Sequence, residues 1–466
     1  MAEAVLELAC KKKCDSLNMQ REKFPIFLTR GLILLGFGML LALNWPGQMS
    51  YDSVVQLLDG RNGQYDSWHP PVMAWLLGLF DSLLPGTGLF LLFTALLLLG
   101  AWLLLLWRAR GGWGLVILTA LIFATPQLLL YQGTIWKDVL FANAGIIAFA
   151  LLAKAAECWR DTAPRFLLLM LCALALGLAA LARQNGFLLL PIAAVTLGLI
   201  AGKQGASSWR YGSGLLLASL VIIAGANAGL SFRSDHGEGQ SEQIRLAQSY
   251  DLVGAIRLDP SLRLEVLEKQ APALDAAIRK EGVPLYSPRL VDTLEQSSTL
   301  TQAIYRAPLG VIFAQWRLLI LFHPTLYLRE RWPVFRWVVA PPDLFVCHPD
   351  VVGVDGPADM LKTLGLKEQI RPQDRLLYSY VSNFFHTPVL SHLLYGAMAL
   401  LLAILLARRG MAADHAVAGL QIAALAFAAS FFVVSIACDY RYLYFLDLAA
   451  MTGVLQYFAG RAQGRH

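Results

Sequence analysis

The chain has 466 residues, of which 57% are hydrophobic and 15% are charged. Soluble globular proteins carry about 25% charged residues. Apolar runs of about 18 residues or more recur along this chain, and each can cross a hydrocarbon core of about 30 Å. The composition therefore predicts an all-α polytopic membrane protein and excludes a soluble enzyme. The net charge of +6 requires no nucleic-acid partner, because cationic loops are expected on the cytoplasmic side of a membrane protein.

Residues 1–23 are interpreted as a cytoplasmic tail. Their apolar stretch is too short for a secretory signal, and acidic residues interrupt it. Cys10 and Cys14 lie four positions apart without histidine partners, which does not favour a zinc site. Several basic residues precede the first predicted span, residues 24–45. The chain should therefore enter the membrane from the cytoplasm and leave it on the outer face.

Residues 46–88 form the first outer loop, and two short helices are predicted within it. Ser50 can cap an interfacial helix over residues 50–60. His69, Pro70 and Pro71 then open a short apolar helix, which a Pro-Gly pair closes at 85–86. This second helix is too short to span a bilayer, so we expect it beside the membrane or half inserted.

The remaining predicted spans alternate in direction, and basic residues occupy the loops that this alternation assigns to the cytoplasm. Both termini are therefore expected in the cytoplasm. Residues 309–328 are apolar but contain Arg317 and Pro324. They either insert halfway, which leaves ten spans, or cross and return through residues 334–346, which gives twelve. The ten expected spans are residues 24–45, 89–107, 113–130, 139–153, 166–182, 187–201, 211–230, 389–406, 416–436 and 442–458.

The pattern predicts five regions. Residues 1–23 are the tail, and 24–230 are an N-terminal transmembrane module. Residues 231–307 are a helical outer element, 308–386 are half-inserted or membrane-associated, and 387–466 are C-terminal transmembrane helices. The outer element is too small and too poor in aromatic residues to be an independent enzyme domain. A disulfide between Cys347 and Cys438 is compatible with this topology, although sequence spacing alone cannot bring two sulfurs together.

Ionisable residues recur where predicted spans meet the outer face. Charged groups close to a membrane core are costly and are usually functional. Structural roles remain open for several of them. Asp52 could cap the interfacial helix, His69 could be a polar interface residue before a helix that proline starts, and Lys137 could reach the interface beside Asp138. Arg183 and Arg441 could bind lipid headgroups or balance Asp439. The set is Asp52, Arg61, Asp66, His69, Lys137, Asp138, Arg183, Asp439 and Arg441.

Three stretches carry a family resemblance: Tyr51-Asp52, the segment HPPVMAWLLGLF at 69–80, and LARQNGFLLLPIAAV at 181–195. Their order resembles the GT-C superfamily of membrane glycosyltransferases, in particular protein O-mannosyltransferases and the lipid A aminoarabinose transferase. Those enzymes carry an acid in the first outer loop and a Lys-Pro-Pro motif before a juxtamembrane helix. His69 replaces that lysine here, and Asp138 matches a second acid of the family. The resemblance covers roughly residues 26–200.

The resemblance implies a GT-C-like bundle of about 10–12 transmembrane helices. It also implies inverting transfer of a sugar from a polyprenyl-phosphate donor to an acceptor hydroxyl. The acceptor would be an envelope glycan, a lipid or a protein on the periplasmic face of a bacterial inner membrane. Asp52 would be the general base, and Asp138 or Asp66 would orient the reactants. The donor phosphate would contact cationic or polar side chains, namely His69, Lys137, Arg183 and Arg441.

No cofactor is assigned from the sequence, and a divalent metal is not indicated. Two other function classes remain open. A transporter or flippase of lipid-linked sugars would usually show internal repeats, which are not evident in this sequence. An oligosaccharide polymerase or ligase would also have many spans and one large outer loop, but tends to use arginine pairs and histidine. Transfer of sugar by the purified protein would discriminate among the three classes.

Overall fold

The computed structural model describes residues 24–235, 237–347 and 350–460. Within these ranges the chain is helical, and its β-structure consists of isolated bridges only. The chain is therefore an all-α polytopic membrane protein, as its composition predicts. The interpretations of residues 1–23, including Cys10 and Cys14, and of the last six residues concern positions outside the described ranges.

Twenty-one α-helices are described, which we number α1 to α21. They are α1 (Phe24–Asn44), α2 (Tyr51–Asn62), α3 (Pro71–Leu83), α4 (Gly88–Leu105), α5 (Trp113–Phe123), α6 (Lys137–Glu157), α7 (Thr162–Ala182), α8 (Leu189–Lys203), α9 (Ser208–Ser231), α10 (Glu238–Leu258), α11 (Glu265–Gln270), α12 (Pro272–Ala277), α13 (Val283–Leu285), α14 (Ser298–Arg306), α15 (Leu309–Phe322), α16 (Pro324–Val339), α17 (Ala358–Leu364), α18 (Pro372–Ser382), α19 (His392–Arg409), α20 (Ala412–Val434) and α21 (Tyr444–Phe458). Short 3₁₀ or π turns are Gln127–Tyr131, Gln184–Leu188, Ile278–Gly282, Val291–Gln296, Phe345–Cys347, Pro388–Leu390 and Tyr440–Leu443.

Eight helices of the described chain are long and apolar enough to cross a membrane: α1, α4, α6, α7, α8 with the turn before it, α9, α19 and α20. They coincide with eight of the ten expected spans. The other two are shorter. Helix α5 has 11 residues and ends before Pro126, and the chain continues in the π turn Gln127–Tyr131. Helix α21 has 15 residues, because the 3₁₀ turn Tyr440–Leu443 takes the start of its apolar run.

Residues 309–328 do not form one straight span. Helix α15 is bent by 99° from α14, and it ends at Phe322. Helix α16 begins anew at Pro324, where proline suits the first helical position. Counted with α14 as one broken span, α15 raises the number of candidate crossings in the described chain to nine. The expected total of ten to twelve crossings therefore exceeds what length and composition support.

Helix α6 lies at the centre of the bundle. It packs against α4, α7, α8, α20 and α21, and almost all of its residues are buried. Helix α6 begins at the same end of the bundle at which α7 and α20 terminate. Because α6 is central, the residues at its start, Lys137 and Asp138, lie among several other helix ends.

The two short helices predicted in the first loop are present as α2 and α3, and they cross with their backbones in contact. A Cβ atom on Gly60 would lie 2.4 Å from the Ala74 carbonyl oxygen, and one on Gly78 would lie 2.3 Å from the Gly60 carbonyl oxygen. Glycine is required where two backbones approach this closely. This close contact prevents α2 from sliding along α3.

Helices α10–α14 do not form a separate unit, since their buried residues share one hydrophobic core with α15 and α16. The sulfurs of Cys347 and Cys438 are bonded, with their Cα atoms 5.2 Å apart. This bond ties the end of the α16 segment to the stretch between α20 and α21. The disulfide that the sequence left open is therefore present.

Candidate active site

The start of α2 is hydrogen-bonded to the stretch that precedes α6. Gln48 N donates to the Gly133 carbonyl at 2.8 Å, and Ile135 N donates to the Gln48 carbonyl at 2.9 Å. Ser53 Oγ donates to the Ile135 carbonyl at 2.7 Å, and Trp136 Nε1 donates to Ser50 Oγ at 2.8 Å. Two loops far apart in sequence are thus fixed side by side, which brings the first turn of α2 against the first turn of α6.

Arg441 lies at the centre of the cluster that this arrangement creates. Its Nη1 is 2.7 Å from Asp52 Oδ2, and its Nε is 2.7 Å from Asp439 Oδ2 and 3.9 Å from Asp138 Oδ2. The guanidinium also lies over the Trp136 ring, 4.8 Å from its centroid. Burial acts to lower the pKa of Arg441, but Asp439 and Asp52 raise it above its ordinary value. Arg441 is therefore a permanent cation.

Asp138 and Arg183 form a second, more deeply buried pair. Arg183 Nη1 contacts Asp138 Oδ1, and the Asp138 side chain is 2% exposed. The guanidinium of Arg183 lies 5.4–5.7 Å from the ring centroids of Phe427, Phe431 and Tyr442. A buried carboxylate is tolerated when a cation pairs with it. The sequence alternative of an arginine that binds lipid headgroups is less consistent with this enclosed position.

His69 lies between Lys137 and Asp52. Its Nδ1 is 3.2 Å from Lys137 Nζ, and its Nε2 is 3.9 Å from Asp52 Oδ1. Burial and the Lys137 charge lower the pKa of His69 to about 4. His69 is therefore neutral at pH 7. When Lys137 is an ammonium it can only donate, so Nδ1 then accepts from it and the ring proton lies on Nε2, on the side of Asp52.

Asp52 is ionised in this environment. Burial acts to raise its pKa, but Arg441, His69 and Lys137 lower it, and the net result is below the ordinary value. Ser50, not Asp52, occupies the N-cap position of α2. The structural alternative of a capping Asp52 is therefore not what the geometry shows. The carboxylate is directed into the cluster.

Asp66 lies outside this cluster. Its carboxylate is exposed and accepts a hydrogen bond from Trp68 N at 2.7 Å. Burial of Asp59 raises the pKa of that residue to about 6, and the charge of Asp66 adds to this rise. Arg61 also has a different role: it forms a two-pronged pair with Asp81 at 2.7 and 2.9 Å, which joins α2 to the end of α3. The structure thus brings together six of the seven predicted site residues, namely Asp52, His69, Lys137, Asp138, Arg183 and Arg441.

Two further members of the cluster are Asp439, which the sequence suggested only as a charge partner of an arginine, and Trp136, to which it gave no role. Asp439 caps the turn that carries Arg441, since its carboxylate accepts from Arg441 N at 3.1 Å while also pairing with the guanidinium. The sequence did contain a signal for Asp439, namely an acid two positions before an arginine at the start of an apolar run. Trp136 had no comparable signal, because tryptophan is common at membrane interfaces.

Potential metal ligands do not gather elsewhere in the described residues, where no group of three or more His, Cys, Asp or Glu side chains is arranged to hold an ion. In the cluster itself the carboxylates face arginines. The chemistry that the cluster can perform with its own groups is proton acceptance by a carboxylate and stabilisation of an anion by fixed cations.

Comparison with known proteins gives only distant likenesses. No protein-family model and no curated protein matches the chain. Among solved structures, it is similar to archaeal oligosaccharyltransferase AglB from Archaeoglobus fulgidus in complex with an inhibitory peptide and a dolichol-phosphate. That match has a TM-score of 0.41 and 15% identity, and it covers 92% of this chain and 50% of that one.

A second structure is the Archaeoglobus fulgidus oligosaccharyltransferase in complex with Zn and sulfate. Its TM-score is 0.40 at 15% identity, over 92% of this chain and 48% of that one. The chain therefore spans about half the length of each of these two proteins. Neither likeness is close enough to assign a function, which has to rest on the site itself.

Proposed function

We propose that this protein is an inverting glycosyltransferase of the GT-C type, which transfers a sugar from a polyprenyl-phosphate donor to an acceptor hydroxyl. The observation that carries the proposal is the pairing of an ionised Asp52 with Arg441, with Lys137 and Arg183 in the same cluster, at one end of a membrane-spanning bundle. A base and several anion-binding groups thus meet at the end of the apolar helices.

In the proposed reaction the acceptor oxygen attacks the anomeric carbon of the donor sugar. A new glycosidic C–O bond forms while the bond from that carbon to the phosphate oxygen breaks. Asp52 takes the hydroxyl proton, and the polyprenyl phosphate leaves with the electron pair. Attack opposite to the leaving group inverts the configuration at the anomeric carbon. A positioned general base typically contributes ~10²–10⁴-fold to such a rate.

The cations of the cluster would stabilise the leaving phosphate. Arg441 and Arg183 offer planar guanidinium groups that match phosphate oxygens, and Lys137 offers a point charge. The neutral ring of His69 can orient Asp52 through its Nε2 proton. Asp138 holds Arg183 and approaches Arg441, so we assign it a positioning role. The basic residues of alternate loops support an active site on the outer face of the membrane.

The acceptor belongs to the same proposal. An envelope glycan, a lipid or a protein would each supply the hydroxyl. Gln243 Nε2, on α10, donates to the Trp68 carbonyl beside His69 at 2.6 Å. This contact supports an acceptor site that is bordered by α10.

The decisive experiment is transfer by purified protein in nanodiscs, from a synthetic polyprenyl-phosphate sugar to a panel of hydroxyl acceptors. Asp52→Asn keeps the shape of the side chain but cannot accept a proton, so it should lose at least ~10²-fold in initial rate. Asp59→Asn, on the same helix, is the matched control and should stay near wild type. An Asp52→Asn protein within a few-fold of wild type would end the assignment. Sugar movement across the bilayer without transfer would favour the transporter class.

A further inference from the structure

The guanidinium groups of Arg441 and Arg183 are already occupied by carboxylates. Three carboxylates, Asp52, Asp138 and Asp439, lie against these two arginines, and the neutral ring of His69 lies between Asp52 and Lys137. Each arginine already has a carboxylate in direct contact. An incoming phosphate can therefore take the Nη1 or Nε position of Arg441 only if the carboxylate held there gives it up.

Asp52 is the carboxylate that can give it up. Asp138 is 2% exposed and paired with Arg183, so its release would leave a charge unpaired in the protein interior. Asp439 is tied to the backbone N–H of Arg441 as well as to its side chain. Asp52 is the most exposed of the three carboxylates, at 22%. It can turn towards solvent at a smaller cost.

Releasing Asp52 from Arg441 would also change its chemistry. While the pair exists, one of the two carboxylate oxygens is occupied and the guanidinium stabilises the ionised form. A carboxylate held in this way is a weak base, because taking a proton costs it an ion pair. Once Arg441 is occupied by another anion, Asp52 has both oxygens available and a greater affinity for a proton.

We propose that the donor phosphate displaces Asp52 from Arg441, so that the base becomes available only when the donor is bound. This inference rests on the proposed glycosyltransferase function and adds a regulation of the same site. The displacement places a negative phosphate on Arg441 and frees the carboxylate beside the anomeric carbon that the phosphate carries. In the absence of donor, Asp52 stays paired, and an acceptor that arrives first meets no free base.

The test is the affinity of the purified protein for a polyprenyl phosphate that carries no sugar, measured in nanodiscs by titration. If Asp52 competes with the phosphate for Arg441, then Asp52→Asn should bind it about 10-fold more tightly than wild type, because the phosphate no longer has to displace a charged group from Arg441. Asp59→Asn removes a carboxylate from the same helix about 10 Å away, and its affinity should equal that of wild type.

A double-mutant cycle separates competition from a general charge effect. In an Arg441→Gln background, Asp52→Asn should give no gain in affinity, because the shared partner is gone. The same 10-fold gain in that background, or no gain in the wild-type background, would overturn the inference. If Arg441→Gln is not recovered folded, Arg441→Lys takes its place. The gain expected there is smaller, since lysine cannot hold phosphate and carboxylate by the same planar fork.

The outcomes also separate this inference from the function beneath it. If wild-type protein shows no saturable binding of polyprenyl phosphate, both the proposed donor class and the proposed competition are wrong. If wild type binds the phosphate and transfers sugar but Asp52→Asn binds no more tightly, only the competition is wrong.

Discussion

At the level of single residues, the charge state of the site depends on Lys137 as well as on the arginines. The Lys137 ammonium is 3.2 Å from His69 Nδ1, and together with burial it lowers the pKa of His69 to about 4. An unfolded chain would protonate His69 near its ordinary pKa of 6.5. Between these values the unfolded state binds more protons than the folded state. The contribution of His69 to stability therefore decreases as the pH falls from about 6.5 to about 4.

Replacing Lys137 by methionine should make activity sensitive to mild acid. Loss of the neighbouring positive charge raises the pKa of His69 from about 4 towards 6.5. Protonated His69 then pairs with Asp52 and weakens it as a base. We expect the transfer rate of Lys137→Met to fall between pH 7 and pH 5, while wild type stays level. Lys154→Met, at the opposite end of α6, is the control; parallel profiles for Lys137→Met and wild type would refute this role of Lys137.

At the level of elements, the segment that carries Arg441 is held in place by α16, by α10 and by the loop that contains Arg289. Arg331, which is fully buried, donates from Nε to the Phe432 carbonyl at 2.8 Å and from Nη2 to the Ser435 carbonyl at 2.6 Å, at the end of α20. Its Nη1 pairs with Asp251 of α10 at 2.9 Å. Cys438 N then donates to the Arg289 carbonyl at 2.8 Å. These contacts fix the path of the chain from α20 to the cluster.

Arg331→Met should therefore destabilise the protein strongly. The change removes the cation that faces the buried Asp251 carboxyl and leaves it only the hydrogen bond from Trp316 Nε1. Breaking a buried pair from one side costs ~3–5 kcal/mol. The measurement is thermal unfolding in detergent, where the apparent Tm should drop by several degrees. Arg329→Met is the matched control, since Arg329 is exposed on the same helix and should change stability by less than about 0.5 kcal/mol. Equal effects of the two substitutions would contradict the assigned role.

Which of these two arginines is buried could not be predicted from the sequence. Residues two positions apart on a helix point about 200° away from each other. The stretch RERWPVFRW therefore puts Arg329 and Arg331 on different faces of a helix without showing which face is buried. Packing of α16 on α20 and α10 decides it. The π turn after α5 escaped prediction for a similar reason, because apolar composition does not report where a helix breaks.

At the level of the whole molecule, hydropathy located the eight long spans because each is a local property of about twenty residues. Asp52 and His69 were found from their order after the first span. The meeting of Asp52 with Arg441 joins the start of the chain to its end and depends on how all the helices pack. The sequence therefore indicated most residues of the site but not which of them form ion pairs. It also included Asp66, which lies outside the cluster.

Topology is tested by cysteine labelling in intact cells, in a background without the free cysteines. A cysteine at Ala276, which is exposed in α12, should react with a membrane-impermeant maleimide without permeabilisation if residues 231–307 lie outside. A cysteine at Gln204, in the short exposed loop after α8, should react only after permeabilisation. The reverse pattern would place the cluster on the cytoplasmic side and remove the proposed donor from reach.

The contact between Gly60 and Gly78 fixes the position of α2 relative to α3. Asp52 lies eight residues before Gly60, so it is about 12 Å from the crossing along the helix axis, and the crossing also fixes the direction in which its side chain points around that axis. One alanine inserted after Val55 would advance Asp52 by about 1.5 Å and rotate it by about 100° away from Arg441. Transfer should cease although every native side chain is still present. The same insertion after Gly63, past the crossing, should leave transfer close to wild type.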